Sequence, residues 1–418
     1  MPLFNSNGKS FWTVGFGGRA KERLRMARKP KYLPRFNDPS VIFALDPGRL
    51  HALLLPHAAF LAAHGVALDP DPRRFDHPAV AAVSIVILAP HDDTPYELVD
   101  ALTHIDEMAT PEGMERLLNA AAAAHITLRP GVDRSPADLA LEVWTANPEL
   151  LRRQHAEHVV LRRRALLSYG PLPDAPRIRP TNLTGPLAQL ERVIRAWYFD
   201  QGRGDDATVI PFESNRELRV VIRHGGPYQR KGCLQDGAPG TVQFRPMEFA
   251  HFVLRWDLLE LGINCGLKGE LQMIRKAVGE CVFGNPGYFA TDQKYTLEPL
   301  RQGRVSLRCA DVPGLRRVTL VSLTRDKGGS QHRRDITTAD DVFQALEDDG
   351  EVISPVTDLE VATLLFDFSD SKKPRPVTVR GGNRATYVRD GDSDIVERFL
   401  AARGFMREGA SVAALATA

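Results

Sequence analysis

The chain is poor in cysteine. It has four among 418 residues, Cys233, Cys265, Cys281 and Cys309, none within a CxxC and with gaps of 32, 16 and 28 residues. That excludes a disulfide scaffold and a zinc-finger framework, and implies reduced, mostly buried thiols in a cytoplasmic protein. Lysine is scarce too: 11 of 54 basic residues, with none between Lys31 and Lys231. A GC-rich coding genome skews composition this way, so the imbalance points to a bacterial source before it points to arginine-specific phosphate binding. No apolar run reaches 18 residues, so no membrane-spanning helix is expected. The opening MPLFNSNGKSFWTVGFGG lacks the charged and apolar regions of a secretory signal. Several catalytic signatures are missing as well: GxxxxGKS/T, the GxSxG elbow, HExxH and the EF-hand loop. Their absence lowers the weight of an enzymatic reading.

What remains has the ordinary globular balance, 43% apolar and 25% charged, at a length that fits two or three domains. The net charge of +2 hides an asymmetry. Residues 1–36 carry nine basic residues, among them Arg19, Lys21, Arg23, Arg25, Arg28, Lys29 and Lys31, against one acid, for +8; the remainder sums to −6. A basic arm on a mildly acidic body reads as an interaction tail for a polyanion. The arm also holds six aromatics, which implies that part of it docks on the body.

The pattern along the chain predicts an α+β protein: a mainly helical domain over 37–169, a proline-rich linker at 170–186, and a strand-rich mixed domain over 187–408. Asp46-Pro47 opens a helix over 46–64 that Pro56 should kink. The apolar run 79–89, AVAAVSIVILA, reads as a buried strand. Four cap-and-proline starts, at Thr94-Pro95, Thr110-Pro111, Ser135-Pro136 and Asn147-Pro148, predict helices near 95–108, 111–125, 136–145 and 148–168. Beyond a helix at 187–200 the period moves towards two. Strands are expected at 207–212, 217–224, 241–245, 250–255, 258–264, 304–309, 316–324, 359–368 and 376–380, with helices at 269–281, 338–348 and 393–403.

Two sets of residues carry chemistry. Arg152, Arg153, Arg162, Arg163 and Arg164 share a side of the predicted helix 148–168. Lys372, Lys373, Arg375 and Arg380 form a second basic patch near a strand. With the arm, these patches suit nucleic-acid backbone contact. The other set is His91, Asp92 and Asp93 after the predicted strand, with His155 and His158 at i, i+3 on a helix. Such residues can hold a divalent metal. This HDD with a downstream HxxH resembles the metal-binding pattern of the zinc-dependent N-acetylglucosaminyl deacetylases, over about seven residues. The resemblance implies an Asp base and a zinc-bound water. The family's proline between the His and the Asp pair is missing here. Gly15-Phe16-Gly17-Gly18-Arg19 lacks the strand, spacing and acid of a dinucleotide fingerprint and reads as a hinge.

The leading expectation is therefore a cytoplasmic, non-enzymatic subunit of a bacterial multi-protein system that contacts nucleic acid and needs no cofactor. The alternative is a metal-dependent hydrolase that uses zinc.

Overall fold

The computed structural model describes residues 33–36, 39–89, 91, 93–129, 134–161, 165–235, 238–327, 333–388 and 392–407. The glycine turn at 15–19, the arm cations from Arg19 to Lys31, Asp92 and Arg162, Arg163 and Arg164 lie outside the described residues. The chain divides into two compact units, Met1–His158 and Val159–Ala418. The proline-rich segment falls within the second unit, between its first strand and its first helix. No helix among the described residues is long and apolar enough to cross a membrane.

The first unit is helical: α1 (Pro39–Phe43), α2 (Pro47–Leu54), α3 (Ala58–Ala63), α4 (His77–Leu88), α5 (Tyr96–Met108), α6 (Pro111–Ala123), α7 (Pro136–Ala146) and α8 (Pro148–Leu161). The caps explain the starts. Asp46 accepts from Arg49 N–H at 2.9 Å, Thr110 from Gly113 N–H at 2.9 Å, Ser135 from Asp138 N–H at 3.1 Å and Asn147 from Leu150 N–H at 3.0 Å. Each satisfies a donor that the first helical turn leaves unpaired, and the proline behind each cap lacks the donor altogether. Pro56 interrupts the first long helix with a 3-10 turn, Leu55–His57.

The segment 79–89 corrects the sequence reading, because it lies almost wholly in helix α4 and is not a strand. A continuous apolar run fits either state. Here Asp76 accepts from Ala79 N–H at 3.1 Å and Pro78 fixes the first turn, so the local start signal selects a helix. Val80, Val83, Val86 and Ile87 then join a core with Leu54, Leu61, Leu98, Ile105, Leu139 and Val143. The end of the arm docks on this core as expected. Leu33 and Phe36 are buried, and Arg35 and Phe36 donate their N–H groups to Asp106 at 2.8 and 2.9 Å.

The second unit is an antiparallel sheet with helices. Its strands are β1 (Ala165–Pro171), β2 (Thr208–Glu213), β3 (Glu217–Gly225), β4 (Gln229–Gln235), β5 (Ala238–Phe244), β6 (Met247–Arg255), β7 (Glu260–Asn264), β8 (Phe289–Thr291), β9 (Leu315–Asp326), β10 (Arg334–Thr338), β11 (Asp358–Phe368), β12 (Arg375–Arg380) and β13 (Arg384–Thr386). Its helices are α9 (Thr184–Asp200), α10 (Lys268–Phe283), α11 (Val342–Asp348) and α12 (Ser393–Ala402). The main sheet runs β10-β9-β11-β12-β13-β1-β7-β6-β3-β2, with β8 beside β1. β4 and β5 form a separate exposed ribbon. The helix expected to reach 168 stops at Leu161, and 165–171 is strand β1. Residues 304–309 were expected as a strand, but Arg304–Leu307 close a 3-10 segment, Glu298–Leu307, broken at Gly303 with φ 70°. Residues 334–338 form a strand, because Asp341, accepting from Gln344 N–H at 3.2 Å, starts α11 later than the threonines would.

The two halves of the sheet bury opposite faces. In the first half Leu218, Val220, Phe252, Leu254, Leu261, Ile263 and Tyr169 pack with α9 and α10, with Leu167 against them. In the second half Val318, Leu320, Ala362, Leu364, Phe366, Val377, Val379 and Ala385 pack with α11 and α12. Residues paired directly across antiparallel strands share a face. At the junction β1 pairs Leu166 with Ala385 and Leu167 with Arg384. Leu167 belongs to the first cluster and Ala385 to the second, so the clusters lie on opposite sides of one continuous sheet. Arg384 is thereby turned away from α11 and α12.

Candidate functional site

The face of β9–β13 opposite α11 and α12 presents an ordered polar surface. Register places Thr338, Ser322, Thr363, Thr378 and Thr386 in one row across five strands. Ser322 and Thr338 hydroxyl oxygens lie 3.4 Å apart, and those of Thr363 and Thr378 3.1 Å. At about 4.8 Å per strand the row spans roughly 19 Å. The next row is Ile336, Thr324, Val361, Arg380 and Arg384. Arg317 lies on the same face, opposite Asp367, which pairs with Arg316 at 2.7 Å. Arg317, Arg380 and Arg384 are exposed, and none ion-pairs with a described residue. The rows hold no aromatic side chain. At its β12–β13 end such a face offers guanidinium and hydroxyl donors to an anionic backbone, while at its β10 end Asp326 lies opposite Arg334 and Asp358.

The sequence-predicted basic residues divide sharply. Arg380 lies on this face. Arg375 lies on the other, pairing with Asp392 and stacking at 4.8 Å on the Phe368 ring. Lys372 and Lys373 are exposed between β11 and β12. In the helical unit Arg152 pairs with Asp100 at 2.8 Å and with Glu149, and stacks at 4.9 Å on Trp144, while Arg153 is exposed. Arg152 is therefore committed to acids and an aromatic within its own unit.

The predicted metal residues also divide. His91 and Asp93 come together, but with His64, which the sequence reading missed. One ligand atom from each of the three lies within 4.8 Å of the others, in the single such group among the described residues. His64 follows α3, held by its N–H to Phe60 and Leu61 carbonyls, and Gly65 with φ 82° turns the chain after it. His64 Nε2 lies 3.0 Å from both Asp93 oxygens. The hydrogen bond from His64 is the main reason the Asp93 carboxyl sits below its ordinary pKa. The His64 and His91 rings are 3.9 Å apart between centroids, with Phe60 against both. His155 and His158 are not in the group. His155 bonds Glu107 and stacks edge-on to His104, and His158 is buried on α8. Burial above all depresses the His104 pKa, and the hydrogen bond from His155 depresses that of Glu107.

Two buried polar clusters in the second unit escaped sequence reading because their members are far apart in the chain. The Tyr198 hydroxyl donates to Glu270, whose other oxygen accepts from Gly266 and Leu267 N–H at 3.0 and 3.3 Å, and the Tyr198 and His224 rings stack at 4.1 Å. Burial and the Glu270 charge push the Tyr198 pKa up. All three side chains are under 5% exposed, so the cluster ties α9, α10 and β3 together without reaching solvent. In the second cluster Lys294 pairs with Glu260 at 2.7 Å, both buried. A cavity of ≈ 220 Å³ in the helical unit is lined in part by Gly65, Val66, Leu68, Asp69, Arg74 and Phe75. Comparison with protein-family models, curated proteins and solved structures finds no match to the chain.

Proposed function

We propose that this chain is a nucleic-acid-binding subunit that grips the sugar–phosphate backbone with the solvent face of β9–β13. The row of five hydroxyls beside Arg317, Arg380 and Arg384 carries this reading. Guanidinium forks match phosphate oxygens, and threonine and serine hydroxyls donate to the same groups. A face without aromatics or base-reading amides favours duplex backbone over splayed bases and confers little sequence preference. The nine cations in residues 1–36 would add to the same attraction.

The test is salt dependence. If the three sheet arginines each neutralise one phosphate, they supply about −2.7 of the slope of log K against log salt. Fluorescence anisotropy with two duplexes of unrelated sequence should show similar low-salt affinity for both. Replacing Arg317, Arg380 and Arg384 by glutamine should flatten the slope by about that amount, and deleting residues 1–32 should flatten it separately. Absence of low-salt binding by the intact chain, or a triple variant with an unchanged slope, defeats the proposal.

A further inference from the structure

We infer that His64, His91 and Asp93 form a zinc site in the helical unit, with two imidazole ligands and one carboxylate. All three residues lie in the unit Met1–His158. The geometry is close to what zinc requires. Nitrogen and oxygen ligands sit about 2.0–2.2 Å from the ion, which puts tetrahedral neighbours about 3.3 Å apart. His64 Nε2 and the Asp93 oxygens, at 3.0 Å, are already within that separation. The remaining separations, at most 4.8 Å, need to close by no more than about 1.5 Å.

A plain histidine–aspartate pair does not account for the cluster. It would use His64 and Asp93 and leave the second imidazole without a role. His91 Nε2 is screened from solvent and has no hydrogen-bond partner among the described residues. A buried nitrogen left unpaired is unfavourable, because the hydration it loses is not replaced. The two imidazoles are already 3.9 Å apart between centroids, so one cation can draw on lone pairs of both. The turn that carries His91 and Asp93 is braced in advance: Thr94 donates its N–H and its hydroxyl to His91 O at 3.2 and 2.8 Å. The Phe60 ring lies 4.7 Å from that of His64 and 6.0 Å from that of His91 between centroids. Three protein ligands leave a fourth tetrahedral position for water or another small ligand.

The experiment uses the full chain, stripped with chelator and titrated with zinc alone against a chromophoric indicator. The expected result is one zinc per chain. His64→Ala should weaken binding at least tenfold, and Asp93→Asn, a change at an exposed side chain, should weaken it without lowering thermal stability in the absence of metal. His155→Ala should bind as the unaltered chain does. Cobalt in place of zinc should give the strong visible bands of a tetrahedral site, and these should vanish in His91→Ala. The inference fails if the intact chain takes up no zinc. It also fails if binding survives His64→Ala with His91→Ala combined, or if His155→Ala is the variant that releases the metal.

Discussion

Replacing Glu260 by glutamine should destabilise the second unit more than any surface change. Lys294 and Glu260 are 5% and 7% exposed and 2.7 Å apart. Burial alone would lower a lysine's pKa, yet the charge of Glu260 above all, with that of Glu397, holds the Lys294 ammonium above its ordinary value. Glu260→Gln leaves that ammonium buried without its nearest counter-charge. Breaking a buried pair in this way costs about 3–5 kcal/mol, whereas replacing both partners by well-packed apolar residues is often neutral. At roughly 2–4 °C per kcal/mol for a body of this size, the single variant should lose roughly 6–20 °C in Tm. Glu260→Met with Lys294→Met should regain most of it. The pH dependence separates the two states of the lysine. In the unaltered chain the folded pKa is raised, so the contribution is present below the ordinary lysine value, about 10.4, and is lost only as pH climbs through the higher folded value. In Glu260→Gln burial dominates and the folded pKa falls. That variant should therefore gain stability as pH rises from about 7 to about 10, narrowing the gap to the unaltered chain. Thermal unfolding followed by circular dichroism reads all three proteins. A single variant within about 1 kcal/mol of the parent, or a double variant as unstable as the single, would show that Glu260 does not act as the counter-charge of a buried ammonium.

Two further outcomes follow from packing and from thiol burial. At Gly113 an added Cβ would meet the Met108 carbonyl oxygen at 2.2 Å, and backbone cannot yield cheaply, so Gly113→Ala should cost about 1–3 kcal/mol in urea unfolding; an unchanged midpoint contradicts this. Burial, then the Glu270 charge, pushes the Cys265 thiol up to about 12, and burial also raises Cys281 and Cys309. Thiolate is the reactive form, so at pH 8 roughly one Cys265 in ten thousand is reactive, and a thiol reagent should label Cys233 first in the folded chain. Equal labelling of Cys265 and Cys233 by mass spectrometry would show that the burial is wrong.

Local signals carried the sequence reading, and signals that depend on long-range register did not. Thr110, Ser135 and Asn147 were legible as caps because each acts within three residues of itself. The run 79–89 was ambiguous between two buried states, and only the cap at Asp76 decides it. The patch from Lys372 to Arg380 looked like one feature, but alternation sends Arg375 and Arg380 to opposite faces, where an acid and an aromatic engage the first. Which of those faces is covered depends on the pairing of Leu166 with Ala385, more than two hundred residues away. The hydroxyl row draws on four registers and has no linear motif. The motif spacing groups His91, Asp92 and Asp93 with His155 and His158, whereas the fold sets His64, from a different helix end, beside His91 and Asp93. The available clue was a histidine at a helix terminus just before Gly65.

Nucleic acid bound on the face of β9–β13 opposite α11 and α12 should be within reach of a site-specific photo-crosslinker placed there. A benzophenone side chain placed at Thr378, in the middle of the hydroxyl row, should capture a labelled duplex at low salt. The same group at Tyr228, 70% exposed beside the separate β4–β5 ribbon, should not. Capture at Tyr228 and none at Thr378 would put the nucleic acid on a different surface.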